Sequence, residues 1–188
     1  MDQYNSFLRK HISEFYDLTE EEWNFVSEFF TLKKLRKHQF LIQQGQQVQE
    51  EFLIVSGLVK SYEIDENGKE VIIQFAKENY WVSDYFAFQF HQPATMNVDC
   101  VEDCTFLALS FENREIICEK IHKMANFFRK KSNRGFIGLQ QRVLSLMKET
   151  AEERYTQLLD KDPDLIQRVP KKMLAAFLGV SRETLSRF

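Results

Sequence analysis

The stretch spanning residues 169–188, VPKKMLAAFLGVSRETLSRF, leaves the chain few choices. Its apolar residues Leu174, Leu178, Val180, Leu185 and Phe188 converge on one small core only if two short helices cross at a turn. Gly179 supplies that turn, because a left-handed backbone just past a helix end costs glycine little, and Pro170 presets φ for a helix start. Ala175 is small enough to admit the second helix. Ser181 is a good N-cap, and after it Arg182, Glu183, Ser186 and Arg187 fall opposite the buried pair Leu185 and Phe188. Arginine bonds bidentately to guanine and glutamate accepts from cytosine, so this outward face carries what major-groove readout needs. An ordinary amphipathic hairpin with a solvated charged face has the same apolar pattern. Glycine, alanine, cap and outward residues together favour DNA recognition, with Arg182, Glu183, Ser186 and Arg187 reading bases and Arg168, Lys171, Lys172 and Ser181 touching phosphates.

The segment VSRETLSR resembles the recognition helix of the cyclic-AMP receptor protein and FNR (Crp/Fnr) family of bacterial transcription regulators, whose members carry a very similar arginine, glutamate and arginine. The resemblance implies an α+β chain with three parts: a cyclic-nucleotide-binding-like β-roll sensor over residues 1–110, a long dimerisation helix over 111–136, and a helix-turn-helix domain over 137–188. It implies a homodimer on an inverted repeat in double-stranded DNA, with RNA polymerase and a small effector of unidentified chemistry as further partners. No cofactor or metal is expected. The family often adds residues and sometimes a β-wing beyond the recognition helix, so a chain stopping at Phe188 is expected to be short or incomplete.

Composition agrees with a globular regulator. Of the 188 residues 44% are hydrophobic and 14% aromatic, ample for a core. No run approaches the roughly 18 apolar residues of a membrane span, and MDQYNSFLRK contains no apolar signal region, so the expected location is cytoplasmic without a membrane partner. A net charge of −3 argues against a blanket nucleic-acid binder, but residues 168–188 hold five cations against Glu183 alone. A locally basic tail suits DNA. Cys100, Cys104 and Cys118 are too few and oddly numbered for a disulfide framework, and they read as buried thiols rather than half a metal site. The cysteine cluster of the family's iron–sulfur sensors, which lies near the N-terminus, has no counterpart. His11, His38, His91 and His122 are scattered and suggest no chemistry.

From the N-terminus, residues 4–16 and 19–29 read as helices, the second opened by a Thr19/Glu22 capping box. From Phe40 the period becomes two, and short strands are expected through FLIQQ, FLIVSG, LVKSYEI and VIIQF, with a tight Asn67-Gly68 hairpin. Gly45 and Gly57 resemble the punctuation of a cyclic-nucleotide-binding roll. Residues 78–98 fall where that family holds a cyclic phosphate, and the match is poor. Ser83-Asp84 stands for a Gly-Glu pair, Ala94 for the phosphate-binding arginine, followed by Thr95, and Asn79 for a turn glycine. A buried phosphate needs a cationic partner, and no Arg or Lys lies between Lys77 and Arg114, so the expected pocket is degenerate and binds no cyclic AMP. Phe86, Phe88 and Phe90 read as core, with a hydrophobic ligand site as the alternative.

After Phe111 the helical period returns. Ile117, Ile121, Met124 and Phe128 are spaced like a coiled-coil seam, which suggests a dimer interface; the alternative is a helix packed on its own roll. Gly135 and Gly138 suggest a hinge, with a domain boundary near 137. An enzyme would need a nucleophile with a base, a carboxylate pair in a cleft or a phosphate loop, and none stands out. The better rival to a regulator is a ligand-binding or protein-interaction module with reduced DNA binding.

Overall fold

The computed structural model describes residues 2–188. The chain divides into two compact units: one runs from the N-terminus to Ser61 and continues as Phe75–Ser132, and the other comprises Tyr62–Gln74 with Asn133–Phe188. Two helices come first, α1 (Asp2–Ser13) and α2 (Glu20–Ser27). The capping box forms as expected, Glu22 N donating to Thr19 Oγ1 at 3.2 Å and Thr19 N to Glu22 Oε2 at 2.8 Å.

Eight strands and a short helix follow: β1 (Thr31–Leu35), β2 (Phe40–Ile42), β3 (Glu50–Ser56), β4 (Val59–Ile64), β5 (Glu70–Ala76), β6 (Trp81–Val82), α3 (Tyr85–Phe90), β7 (Asn97–Cys100) and β8 (Cys104–Ser110). They form two four-stranded sheets, ordered β1-β8-β3-β6 and β2-β7-β4-β5. In the first, β3 and β8 run antiparallel with Phe52 opposite Ala108, Leu53 opposite Leu107 and Ile54 opposite Phe106. The period of two then sorts side chains to two faces. Phe52, Ile54, Phe106 and Ala108 enter a core with Val59, Val82, Phe88 and Val98 inside the roll. Leu53, Leu107 and Leu109 point the other way and meet Leu8, Ile12, Trp23 and Val26 of the first two helices. Both faces are buried, so β3 reads as a continuous apolar run.

Two turns depart from expectation or require glycine. The β4–β5 connection is longer than a two-residue Asn-Gly turn: Gly68 has φ 75° but Asn67 does not share it, and the Asp65 carboxylate accepts from Asn67 N and Lys69 N, both at 2.9 Å. Asp65 organises the loop, so only one residue needs positive φ. Gly57 has φ 101°, and a Cβ there would sit 2.6 Å from the Asp103 carbonyl oxygen, so no other residue fits.

The predicted long helix is two helices, α4 (Phe111–Lys120) and α5 (His122–Lys148). They part at Ile121, whose extended φ −125° and ψ 99° carry no proline or glycine signal. The Gly135/Gly138 hinge is absent, since α5 is unbroken through both. The proposed dimer seam is also corrected. Ile117, Ile121, Met124 and Phe128 lie in the same core as Leu8, Ile12 and Leu53, with Ile117 and Met124 at 0% exposure. The four-three-four spacing records a face packed on the chain's own roll, the alternative that spacing alone left open.

The remaining helices are α6 (Ala151–Lys161), α7 (Pro163–Arg168), α8 (Lys171–Leu178) and α9 (Arg182–Leu185). Thr150 and Glu153 build a second capping box, and Asp162 caps α7 by accepting from Leu165 N at 3.1 Å, with Pro163 in its first turn.

Candidate nucleic-acid interface

Helices α8 and α9 meet at the predicted turn. Gly179 takes φ 74°, and Val180 N bonds back to Ala175 O at 3.0 Å while Gly179 N reaches Ala176 O at 3.3 Å, a closing pair that ends α8 sharply. Leu174, Ala175, Leu178 and Leu185 are buried, Val180 is half-buried, and Phe188 is 39% exposed with its ring 6.0 Å from that of Tyr155. Ser181 caps α9, accepting from Thr184 N at 3.1 Å, so its hydroxyl is engaged by its own helix. The regular part of α9 is one turn, shorter than the reading of the sequence implied.

Arg182, Glu183, Ser186 and Arg187 are all exposed on one side of that turn. The Glu183 carboxyl is held below its usual range by its own backbone N–H and then by the Ser181 hydroxyl, so it is an ionised acceptor. Ser186 Oγ donates to Arg182 O at 2.9 Å, which leaves its lone pairs outward. Arg187 Nη2 rests 3.4 Å from Thr184 Oγ1. Of the phosphate candidates, Lys171 and Lys172 are exposed in the first turn of α8, whereas Arg168 is half-buried and pairs with Asp164 at 3.2 Å.

Two arginines that sequence reasoning passed over hold this motif together. Arg142 Nη2 donates to Phe177 O at 2.9 Å and to Ile72 O at 3.3 Å, and its guanidinium lies 3.7 Å over the Phe177 ring. Arg154 Nη2 donates to Leu178 O at 2.7 Å and Nη1 to Glu149 O at 2.6 Å. Both cations sit on the last carbonyls of α8, where the helix dipole is negative. Burial and then the like charge of Arg154 push Arg142 down to about 10, so it stays charged. An arginine inside a periodic helix gives no local sign that it will bond a carbonyl more than 20 residues away.

The residues that the sequence marks as a degenerate pocket are engaged within the chain. Ser83, Asp84 and Ala94 are buried and Thr95 is exposed. Ser83 Oγ donates to Glu50 O at 3.0 Å, and the Ala94 backbone is tied to residues 45–46 by Ala94 N to Gln46 O and Gly45 N to Ala94 O, both 2.8 Å. Asp84 caps α3 through Ala87 N at 3.1 Å, and its other oxygen accepts from Thr95 N at 2.7 Å, Thr95 Oγ1 at 2.8 Å and Met96 N at 3.3 Å. Burial opposes its ionisation, but these donors outweigh it and hold the carboxyl below its usual value. Asn79 takes the positive φ, 69°, expected of a turn glycine. Phe88 is fully buried in the roll, while Phe86 and Phe90, one helical turn apart, are exposed and meet with ring centroids 5.2 Å apart and planes tilted by 53°. The core reading therefore holds for Phe88 alone. A cavity of about 210 Å³ opens beside Gln43, Gln46, Gln47 and Gln49, and its lining includes none of Ser83, Asp84, Ala94 and Thr95.

Residues 32–120 match the family model of the cyclic nucleotide-binding domain. No curated protein matches the sequence significantly. Among solved structures, the chain is similar to FixK2 of Bradyrhizobium japonicum, 19% identical with a TM-score of 0.72 over 84% of this chain and 81% of that one. It is similar to the catabolite activator protein of Thermus thermophilus, 22% identical with a TM-score of 0.57 over 92% and 83%. It is also similar to the c-di-GMP-responsive global regulator CLP of Xanthomonas campestris, 14% identical with a TM-score of 0.71 over 90% and 89%. Residues 32–120 thus resemble a domain of the cyclic nucleotide-binding class. The chain's fold is that of the Crp/Fnr regulators, and the proteins it resembles are regulators rather than enzymes.

Proposed function

We propose that this protein is a DNA-binding transcription regulator of the Crp/Fnr type, acting as a homodimer on an inverted repeat and binding no cyclic nucleotide. The observation that carries the reading is the α8–turn–α9 motif, closed at Gly179 and capped at Ser181, with Arg182, Glu183, Ser186 and Arg187 outward. A second copy of the chain has an exposed surface to meet. Along α5, Phe136, Leu139, Val143 and Leu146 are exposed and spaced three, four and three, the seam of a short coiled coil. The parts then divide as a sensor over 1–110, a connecting pair of helices over 111–136 and a DNA-binding domain over 137–188. Its partners are double-stranded DNA and a second copy, with RNA polymerase as the downstream target, in the cytoplasm; among the described residues no helix is long and apolar enough to cross a membrane.

Selection from a random DNA pool tests the reading. An enriched inverted repeat with half-sites about 34 Å apart supports it, and no enriched sequence overturns it in favour of an interaction module. Titration calorimetry tests the pocket: a low-micromolar dissociation constant for cyclic AMP or cyclic GMP would refute the claim that it is closed to them.

A further inference from the structure

Asp84 is 2% exposed, yet its carboxylate is fully bonded. Three of its four donors, Thr95 N, Thr95 Oγ1 and Met96 N, converge on Oδ2 at 2.7, 2.8 and 3.3 Å. Two successive backbone N–H groups and a hydroxyl aimed at one point form a cradle for an oxyanion. All the donors are neutral, so the cradle stabilises the charge by oriented dipoles alone. The remaining oxygen accepts from Ala87 N, which ties the same carboxylate to α3. On the other side, the residue that opens the cradle segment, Ala94, is fixed to residues 45–46, and Ser83 is fixed to Glu50 of β3. One side chain therefore joins α3 to the 94–96 segment.

We propose that Asp84 is an internal ligand: its carboxylate occupies the oxyanion cradle of Thr95 and Met96 and holds α3 and residues 94–96 in one arrangement without an effector. The inference rests on reading the roll as a sensor domain. Its chemical corollary is that the cradle, once emptied, accepts a small carboxylate from solution.

Hydrogen exchange over residues 85–98 of the full chain, without DNA, tests this in chloride and in formate at matched ionic strength. In Asp84→Ala, exchange of these amides rises about tenfold in chloride, and formate near 100 mM restores much of the protection by mass action. Formate leaves the unaltered protein unchanged. Asp84→Asn guards against a failure to fold: its amide still fills the site but cannot match the anion, so exchange rises modestly and formate does not reverse it. Equal exchange in Asp84→Asn and the unaltered protein, or formate and chloride acting alike on Asp84→Ala, would show a packed cap and overturn the proposal. Because the readout involves no DNA, failure of the unaltered protein to select a DNA site would count against the proposed function separately.

Discussion

Arg114 Nη1 lies 3.4 Å from Glu51 Oε1, and the same guanidinium stands 4.8 Å from the Phe128 ring and 6.0 Å from the Phe88 ring. One side chain of α4 thus touches β3, α3 and α5. Glu51 is almost wholly buried, and burial pushes its carboxyl up to about 7 even with Arg114 beside it. The folded state holds this proton more tightly than the unfolded chain, whose carboxyl titrates at 4.5. Its contribution is therefore complete below pH 4.5 and is lost as pH rises toward 7. Arg114→Met leaves the carboxylate buried and alone, which costs roughly 3–5 kcal/mol when it is ionised. Urea melts should show that loss in full at pH 8 and much of it gone at pH 5, where Glu51 takes a proton; an equal loss at both would mean that Arg114 acts only by packing.

His11 gives the opposite slope. Its Nε2 accepts from the Trp81 indole N–H at 3.0 Å, so the ring is neutral, and burial followed by the charge of Lys131 lowers it to about 4. The unfolded chain binds the extra proton between pH 4 and 6.5, so stability rises with pH across that window, by up to about 3 kcal/mol. His11 and Glu51 offset each other over much of this range. Glu51→Gln should therefore unmask a rise in melting midpoint from pH 4.5 to 6.5 that the parent protein hides, and a flat profile in that variant would refute the assignment.

The half-buried arginines Arg142 and Arg154 brace the end of α8. Arg142→Ala and Arg154→Ala each remove charge-assisted bonds to carbonyls at the end of α8 and should cost about 1.5–3 kcal/mol. Arg142→Lys should recover little, because an ammonium cannot reach Phe177 O and Ile72 O while lying flat on the Phe177 ring. Limited proteolysis in the 170–188 segment reads the effect; unchanged cleavage in Arg142→Ala would show that Gly179 and the apolar core suffice.

The features that sequence made legible are those written in local chemistry. Thr19 and Glu22, Gly179 and Ser181 each act within four residues of themselves, so spacing found them. The alternation that built β3 and β8 was legible for the same reason. What escaped depends on distant partners. Ile117, Ile121, Met124 and Phe128 show a seam's spacing whether they face a second chain or their own roll, and only the positions of Leu8, Ile12 and Leu53 decide between the two. Arg142 and Arg154 look like solvated helix charges until α8 is packed beside them. The sequence marks Asp84 only as half of the Ser83-Asp84 pair in a phosphate-site segment, because nothing in it shows the amides of Thr95 and Met96 turned toward that carboxylate.

On the outward face, Glu183→Ala or Arg187→Ala should each cost roughly 1–3 kcal/mol of binding to the selected DNA and relax the choice of one base per half-site. Lys172→Ala, in the first turn of α8, should weaken all sequences alike and reduce the salt dependence by about one counterion. Fluorescence anisotropy at several salt concentrations separates these effects. A changed sequence preference in Lys172→Ala alone would reverse the assignment of base and phosphate contacts.

The last prediction sets two apolar faces of one helical region against each other. Met124 and Phe128 are buried in the first unit, whereas Leu139 and Val143, further along α5, meet solvent. Isolated apolar residues on a surface are normal, but Phe136, Leu139, Val143 and Leu146 form one continuous stripe, and such stripes mark contact surfaces. Gly135 and Gly138 lie beside this stripe, and a Cβ on either would meet nothing within 4 Å, so packing within the chain does not require glycine there. A partner helix approaching closely would require it, since each glycine otherwise costs the helix about 1 kcal/mol relative to alanine. Leu139→Glu with Val143→Glu should therefore yield a monomer by sedimentation with its melting midpoint as a monomer little changed, while Met124→Ala should cost about 2–5 kcal/mol of folding stability whatever the oligomeric state. A dimer that survives the paired charges would move the interface off this stripe, and a loss of folding in the double variant equal to that of Met124→Ala would mean that the stripe is covered within the chain.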